Sequence, residues 1–294
     1  MRNILFSLLS IFLTHTLLAQ SNFSETFFGF PHNIHIFIPS HTCVDNEMQS
    51  GLTYKSYLGK LSVIRTYYAD LNVNIHKTGN NEGVNRKHVT GLGIYNDREG
   101  DFFNKIRVMG RYGLHLPLKK NLYFSSGVSL HWVNYNFHTP SSSISGSDFS
   151  WAGTISCSLY SEDFSLGVSV NDFNNPTLRP IAYEFLLRRF ITTYAIKKLK
   201  INDQTELKGA GRFHFYSGTD PAGILQLGLV FRELAGVSAL YYTTKGIGVM
   251  FDLQNIKLLK NYVHLSFAYL VPGRNVYPAA SQYELNLMYS IIHD

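Results

Sequence analysis

Phe124-Ser125-Ser126-Gly127-Val128-Ser129-Leu130-His131-Trp132 is the stretch that decides the fold. Successive side chains of an extended strand point to opposite faces. Phe124, Ser126, Val128, Leu130 and Trp132 therefore share one side, and Ser125, Gly127, Ser129 and His131 share the other. One face is apolar and the other is small and polar. Many water-soluble strands alternate, so a single segment settles nothing; its recurrence does. Phe164, Leu166, Val168 and Val170 alternate with Ser165, Gly167, Ser169 and Asn171. Leu225, Leu227, Leu229 and Phe231 alternate with Gln226, Gly228, Val230 and Arg232. Val263 to Tyr269 repeats the pattern, as do Tyr283, Leu285, Leu287, Tyr289 and Ile291 against Glu284, Asn286, Met288 and Ser290. Lipid outside and polar groups inside a closed barrel require this arrangement strand after strand. The expected class is all-β: a single transmembrane antiparallel β-barrel of about 14 strands.

Composition agrees. Hydrophobic residues make up 45% of the 294-residue chain but lie in short alternating pieces. Beyond the N-terminus, no run reaches the roughly 18 apolar residues of a spanning helix. A soluble β-sandwich also alternates, yet its outer face is rich in charge, whereas here charged residues are only 16%. The 19 tyrosines suit a membrane–water boundary, where the ring is apolar and the hydroxyl stays wet. The net charge of +6 is modest, with lysines and arginines gathered near strand ends and turns. No basic stripe interleaved with stacking aromatics is present, which argues against nucleic-acid binding.

Turn signals divide the chain into segments running from 48–57 to 281–291, including 61–76, 149–160 and 181–197. The stretch 181–198 is apolar on both faces, a pattern compatible with a helical turn as well as a strand. The predicted division is a signal peptide over 1–19, an irregular N-terminal segment over 20–46 and an outer-membrane barrel over 47–294. Met1-Arg2-Asn3 supplies a positive start, Ile4 to Leu18 an apolar core too short to span, and Ala19 a small residue at the cut. Export to the outer membrane through a cleaved signal peptide follows. Ser21 to Val44, rich in Phe, His and Pro, reads equally as a lumen plug or a flexible lead-in. Thr139 to Asp148 reads as a polar outward loop.

Chemistry is sparse. The histidines lack carboxylate or thiolate partners at ligand spacing, so no metal site is expected. Gly91-Leu92-Gly93 lies inside an alternating strand rather than before a helix, which removes a dinucleotide reading. Ser129 and His131 share a face but have no evident orienting acid. No catalytic residue and no cofactor are predicted. Cys43 and Cys157 are too isolated to form a disulfide framework, and Cys157 falls on an apolar face. Lys55, Asp70, Arg107, Arg111, Lys208, Arg212, Arg232, Asp252 and Glu284 fall on inward positions, with Asp97 as a further carboxylate. Buried charges need partners, so a lumen cross-braced by ion pairs is expected. Phe124, Val128, Leu130, Trp132, Leu225, Leu227, Leu229, Phe231, Leu285 and Leu287 are expected to face lipid.

Several stretches together resemble the PorP/SprF family of outer-membrane proteins of the type IX secretion system of Bacteroidetes. They are Leu18-Ala19-Gln20, the aromatic lead-in Phe23 to Phe30, Thr90 to Gly100, Leu114 to Val128, and Phe164 to Asp172. The chain departs from the family where Ile38-Pro39-Ser40-His41-Thr42 stands near the place of an Asn-Pro-Ala…Ala-Gly motif, so it resembles a divergent member. The resemblance implies a non-enzymatic role in secreting or anchoring particular large surface proteins, such as gliding adhesins. The implied partners are a secreted protein with a type IX C-terminal secretion domain, other components of that system, and outer-membrane lipid. The alternative, from a different class, is a hydrophobic-solute or passive transporter resembling the long-chain fatty-acid channel family.

Overall fold

Alternation closes the sheet on itself. The computed structural model describes residues 27–43, 47–75, 86–119, 121–138, 145–182, 184–244, 246–258, 261–273 and 280–291. The signal sequence read at 1–19 and residues 139–144 of the polar loop lie outside them. The strands are β1 (Met48–Tyr57), β2 (Arg65–Ile75), β3 (Lys87–Glu99), β4 (Phe103–Lys119), β5 (Leu122–His138), β6 (Ser145–Tyr160), β7 (Phe164–Asn171), β8 (Thr177–Leu178) and β9 (Phe185–Leu186). They continue as β10 (Phe190–Asn202), β11 (Thr205–Tyr216), β12 (Ala222–Phe231), β13 (Ala235–Tyr242), β14 (Gly246–Leu258), β15 (Asn261–Pro272) and β16 (Gln282–Ile291). All but β8 and β9 form one closed antiparallel barrel of 14 strands, in which β10 follows β7 and β16 returns to pair with β1.

The register lines the apolar positions into a continuous outer row. Leu52 opposes Leu287, which opposes Leu265, which opposes Leu253. In the other direction Leu52 opposes Ala69, followed by Ile94, Val108, Trp132 and Trp151. Phe124, Val128, Leu130, Leu225, Leu227, Phe231, Leu285 and Leu287 are exposed on this outer wall, and Trp132 and Leu229 lie half-buried on it. Cys157 stands on the same wall beside Ile155 and Leu159, and neither cysteine is bonded to the other.

Met48 opposes Ile291, so the barrel begins and ends at one rim. Most connections at that rim are short, among them 161–163, 203–204 and 232–234, with 76–86 the longer one. Outer-membrane barrels carry short turns on the periplasmic side and longer loops outside. This rim is therefore periplasmic, and the segment 172–189 is extracellular.

Three expectations are corrected. The strand expected over 181–197 starts only at Phe190 and runs on to Asn202 as β10, with no helical turn among the described residues. Its apolar lead-in folds instead into a small lid, where β8 pairs with β9 and Leu178 and Leu187 pack on Val133, Tyr135 and Ala152. Apolar residues on both faces reflect that inward packing. Strand β6 begins at Ser145, so Ser145 to Asp148 are strand rather than loop. Strand β2 begins at Arg65 because residues 59–61 make a single 3-10 turn.

The outer wall sets a clear mutational asymmetry. Leu227, 59% exposed to what is lipid in the membrane, is expected to tolerate Leu227→Phe. Leu227→Arg should destabilise by roughly 2–4 kcal/mol if the site lies near the midplane. Folding titrations into lipid vesicles measure both; equal tolerance would mean that the outer and inner faces are exchanged.

Candidate functional site

The lumen is occupied by the chain's own N-terminal segment. Phe30–Asn33 forms one helical turn, and Ile34–Ile36 and Pro39–His41 are 3-10 turns. Phe27, Phe28, Phe30, Ile34, Ile36, Phe37 and Ile38 are all buried. They pack on wall residues that include Tyr68, Tyr95, Met109, Ile224, Tyr242, Met250 and Leu270. The lumen face is thus more apolar than the Ser, Gly and His pattern suggests, because a patch of it serves as the floor of a small core. Gly127 shows how close the fit is: a Cβ there would lie 2.3 Å from the Ser40 backbone nitrogen.

Ordering a backbone costs about 1–2 kcal/mol per residue, while a large buried apolar side chain returns roughly 1.5–3 kcal/mol. Only some of the plug's residues make that return, so polar anchors carry weight. The Glu284 carboxylate accepts the backbone N–H groups of Phe28 at 2.5 Å and Gly29 at 2.9 Å. These are unpaired donors at the start of a helical turn, where a carboxylate is favourable. Asn33 donates to Asn286 at 3.0 Å, and the Thr53 hydroxyl donates to the same oxygen at 2.7 Å. His35 Nε2 lies 2.6 Å from Asp70 Oδ2. At the far end, the Ser40 N–H donates to Ser156 at 2.8 Å and Ser125 donates to the Ser40 carbonyl at 2.6 Å. His41 Nδ1 meets the Tyr194 hydroxyl at 2.8 Å.

The inward charges divide into three groups. Arg111 of β4 reaches across β3 to pair with Asp70 of β2 at 3.2 Å, with the Tyr68 hydroxyl accepting from Arg111 at 2.8 Å. Arg107 pairs with Asp172 at 3.1 Å, tying the base of the extracellular segment to the wall. Asp97 accepts the Thr66 hydroxyl at 2.8 Å. A second group addresses the plug: Glu284 as above, its cross-strand partner Lys55 over the Phe28 ring at 5.5 Å, and Arg212 between the Phe30 and Phe37 rings at 5.2 and 5.0 Å. Asp252 reaches His32 of the plug at 3.4 Å. Lys208 lines a periplasmic vestibule of about 400 Å³ beneath the plug, together with His32, Lys198, Glu206 and His264. Arg232 is placed elsewhere. It is exposed in the turn after β12 with φ 50°, because the strand ends one residue earlier.

Ser129 and His131 do meet, hydroxyl to Nε2, but both are buried and Nδ1 has no hydrogen-bond partner. The orienting group of a catalytic triad is therefore missing from that pair.

The extracellular side carries the other distinctive feature. Strand β6 pairs with β5 along its whole length, but with β7 only over Ile155–Tyr160. Above Gly153 its second edge has no strand partner among the described residues. The Gly153 N–H and carbonyl are met by Asn174 and Phe173, and Asn174 donates to the Trp151 carbonyl at 2.6 Å. Beyond Trp151, the Asp148 carboxylate covers the Phe149 N–H, at 2.9 Å. Gly146 is required here, since a Cβ would lie 1.7 Å from the Pro180 carbonyl oxygen of the lid.

Residues 20–289 match the family described as type IX secretion system membrane protein PorP/SprF, and the chain belongs to that family. No curated protein matches the sequence. Among solved structures, the toluene transporter TbuX of Ralstonia pickettii is similar at TM-score 0.59 and 10% identity, over 88% of this chain and 93% of that one. The toluene transporter TodX of P. putida gives 0.53 and 10%, over 89% and 94%. A FadL homologue of Pseudomonas aeruginosa gives 0.52 and 8%, over 87% and 92%. At such identities the likeness is one of fold: an outer-membrane barrel.

The plug is testable by charge and by pH. Glu284→Ala removes the acceptor of two amides, each bond to a charged group being worth roughly 1.5–3 kcal/mol. Hydrogen exchange over residues 28–33 should rise at least tenfold while exchange in the barrel strands stays unchanged. Burial pushes His41 down to about 3, with His35 and His115 adding repulsion, and burial also lowers His35 against the pull of Asp70. A released segment would take up protons near 6.5, whereas the docked one resists them. The His41 contribution to docking is therefore full above pH 6.5 and weakens as pH falls towards 3, by up to about tenfold per pH unit, with His35 acting in the same direction. Exchange protection of the plug measured from pH 7 to 5 should fall accordingly, and His41→Gln should flatten the slope.

Proposed function

We propose that this chain acts in type IX secretion by binding particular large secreted proteins at the outer membrane, helping to export them or hold them at the surface. It neither turns over a substrate nor passes a solute. The observation that supports this best is the strand edge Ser145 to Trp151, which stands on the extracellular side of a barrel whose lumen is filled. An unpaired edge offers a row of N–H and carbonyl groups to an incoming extended segment, and strand addition is a general mode of protein capture. Membership of the PorP/SprF family supplies the system in which the partner would be found. The partner is then a secreted protein carrying a type IX C-terminal secretion domain, gliding adhesins included, with other components of the system as further contacts. The plug itself, buried against the wall, offers little surface for that contact.

A second reading, passage of a hydrophobic solute, is favoured by the likeness of fold to toluene transporters. Against it stands the lumen, which at the level of Phe30 and Phe37 is closed by packed side chains and by Arg212, 0% exposed between them.

Deletion of the gene separates these readings. Surface proteomics should show one or a few large proteins missing while other type IX cargo is still exported. Loss of all cargo would make the protein a core part of the machine. Unchanged surface proteins with lost uptake of a hydrophobic nutrient would support the transporter instead. Ser147→Pro, which removes an N–H on the free edge without touching the lumen, should weaken capture of the missing protein at least tenfold in pull-downs and leave the barrel folded.

A further inference from the structure

Tyr67 and Asn96 border two hollows on the outer wall, which meet at these residues. Toward the extracellular rim lies a half-polar hollow of about 550 Å³, lined by Arg65, Arg98, Asn104, Asn136 and His138. Below it lies an apolar groove of about 940 Å³ whose walls include Leu52, Ile94, Phe267 and Leu285. Arg65 and Arg98 are direct cross-strand partners on the outward face. Like charges set opposite each other repel. Arg65 has no acidic partner among the described residues, and Arg98 meets only Asp101, at 3.6 Å and with both side chains well exposed. An exposed pair of that kind is worth little. The guanidinium pair therefore lacks a multidentate acceptor, and a phosphate, with several oxygens and more than one charge, would serve both forks.

The level of this pair in the membrane narrows the ligand. Just beneath it, the rings of Tyr54 and Tyr67 lie 5.1 Å apart and those of Tyr54 and Tyr283 5.8 Å. Clustered outward tyrosines mark the boundary where hydrocarbon gives way to headgroups. A free anion would use only the upper hollow, while an uncharged acyl chain would use only the lower. A molecule with phosphate above and acyl chains below uses both. We propose that this is a binding site for a phosphorylated lipid of the outer leaflet, its phosphate held between Arg65 and Arg98 and its acyl chains lying in the groove over Leu52, Ile94 and Leu285.

The test uses the full chain purified in detergent and native mass spectrometry, titrated with diphosphorylated lipid A, with the same lipid stripped of phosphate, and with inorganic phosphate. Wild-type protein should bind the phosphorylated lipid at least tenfold more tightly than either of the others. The double variant Arg65→Ala/Arg98→Ala should lose that preference, while Lys257→Ala, an exposed basic residue at the periplasmic rim, should keep it. Leu285→Trp, which narrows the groove, should weaken lipid binding. Circular dichroism confirms that each variant keeps its β-structure, and Arg65→Gln alone gives the same reading should the double variant fail to fold. Equal binding of the stripped lipid, or unchanged binding by the double variant, would overturn the proposal. Inorganic phosphate binding as tightly as the lipid would also overturn it, by showing a free-anion site.

Discussion

Glu284 is the interaction on which the closed state of this barrel depends. A carboxylate buried inside a barrel wall is costly unless its oxygens are satisfied. Here they accept the Phe28 and Gly29 amides and a side-chain amide of Asn286. The dependence runs both ways. Without the plug, Glu284 faces a lumen with Lys55 and Asn286 but without two of its donors. Without Glu284, the first turn of the plug enters an apolar pocket with its amides unmet. The aromatic residues that follow, Phe28, Phe30 and Phe37, then have a fixed place to pack, and Lys55 and Arg212 sit over their rings.

With the lumen filled, the proposed binding of a secreted protein would have to take place outside it. The extracellular segment 172–189 is fastened at its base by the Arg107–Asp172 pair, with Asp172 held at φ 49°, and at its tip by Leu178 and Leu187. That segment closes the top of the wall over β4, β5 and β6 without adding a strand to β6. The long strands β4, β5 and β6 thus project a platform whose inner face is packed and whose edge is not.

The outer wall was legible because lipid imposes one rule on every strand, and a single stretch such as Phe124 to Trp132 states it. The inner wall was less so. Inward positions of Arg107, Arg111, Arg212 and Glu284 could be read from alternation, but their partners could not, since Glu284 meets Phe28 across 256 positions of sequence. Ion pairs across the lumen were the natural expectation for isolated charges. Ring faces and backbone amides of the plug also meet Lys55, Arg212 and Glu284, and no spacing rule encodes that. Arg232 shows a second limit: alternation continues on paper past Phe231, while the chain has already turned. The lid shows a third, because apolar residues on both faces of 181–191 signal burial without saying in what.

Closed barrels abolish sheet edges, and exposed edges elsewhere invite unwanted pairing. This barrel closes below Ile155 and leaves an edge above it, so the edge needs a restraint. Two are visible. Ser145, Gly146, Ser147 and Asp148 are small or polar, giving a second copy of the chain little apolar surface to bury. The Asp148 carboxylate occupies the Phe149 N–H and also accepts the Arg179 N–H at 2.6 Å, linking the edge to the lid. An incoming strand must displace the first bond, and it gains a row of ladder bonds only if its own side chains suit Phe149 and Trp151 on the outer face. On the proposed reading, an edge restrained in this way would reject casual pairing while staying open to a segment that offers both backbone and side-chain complementarity, which is the discrimination a carrier of particular cargo requires.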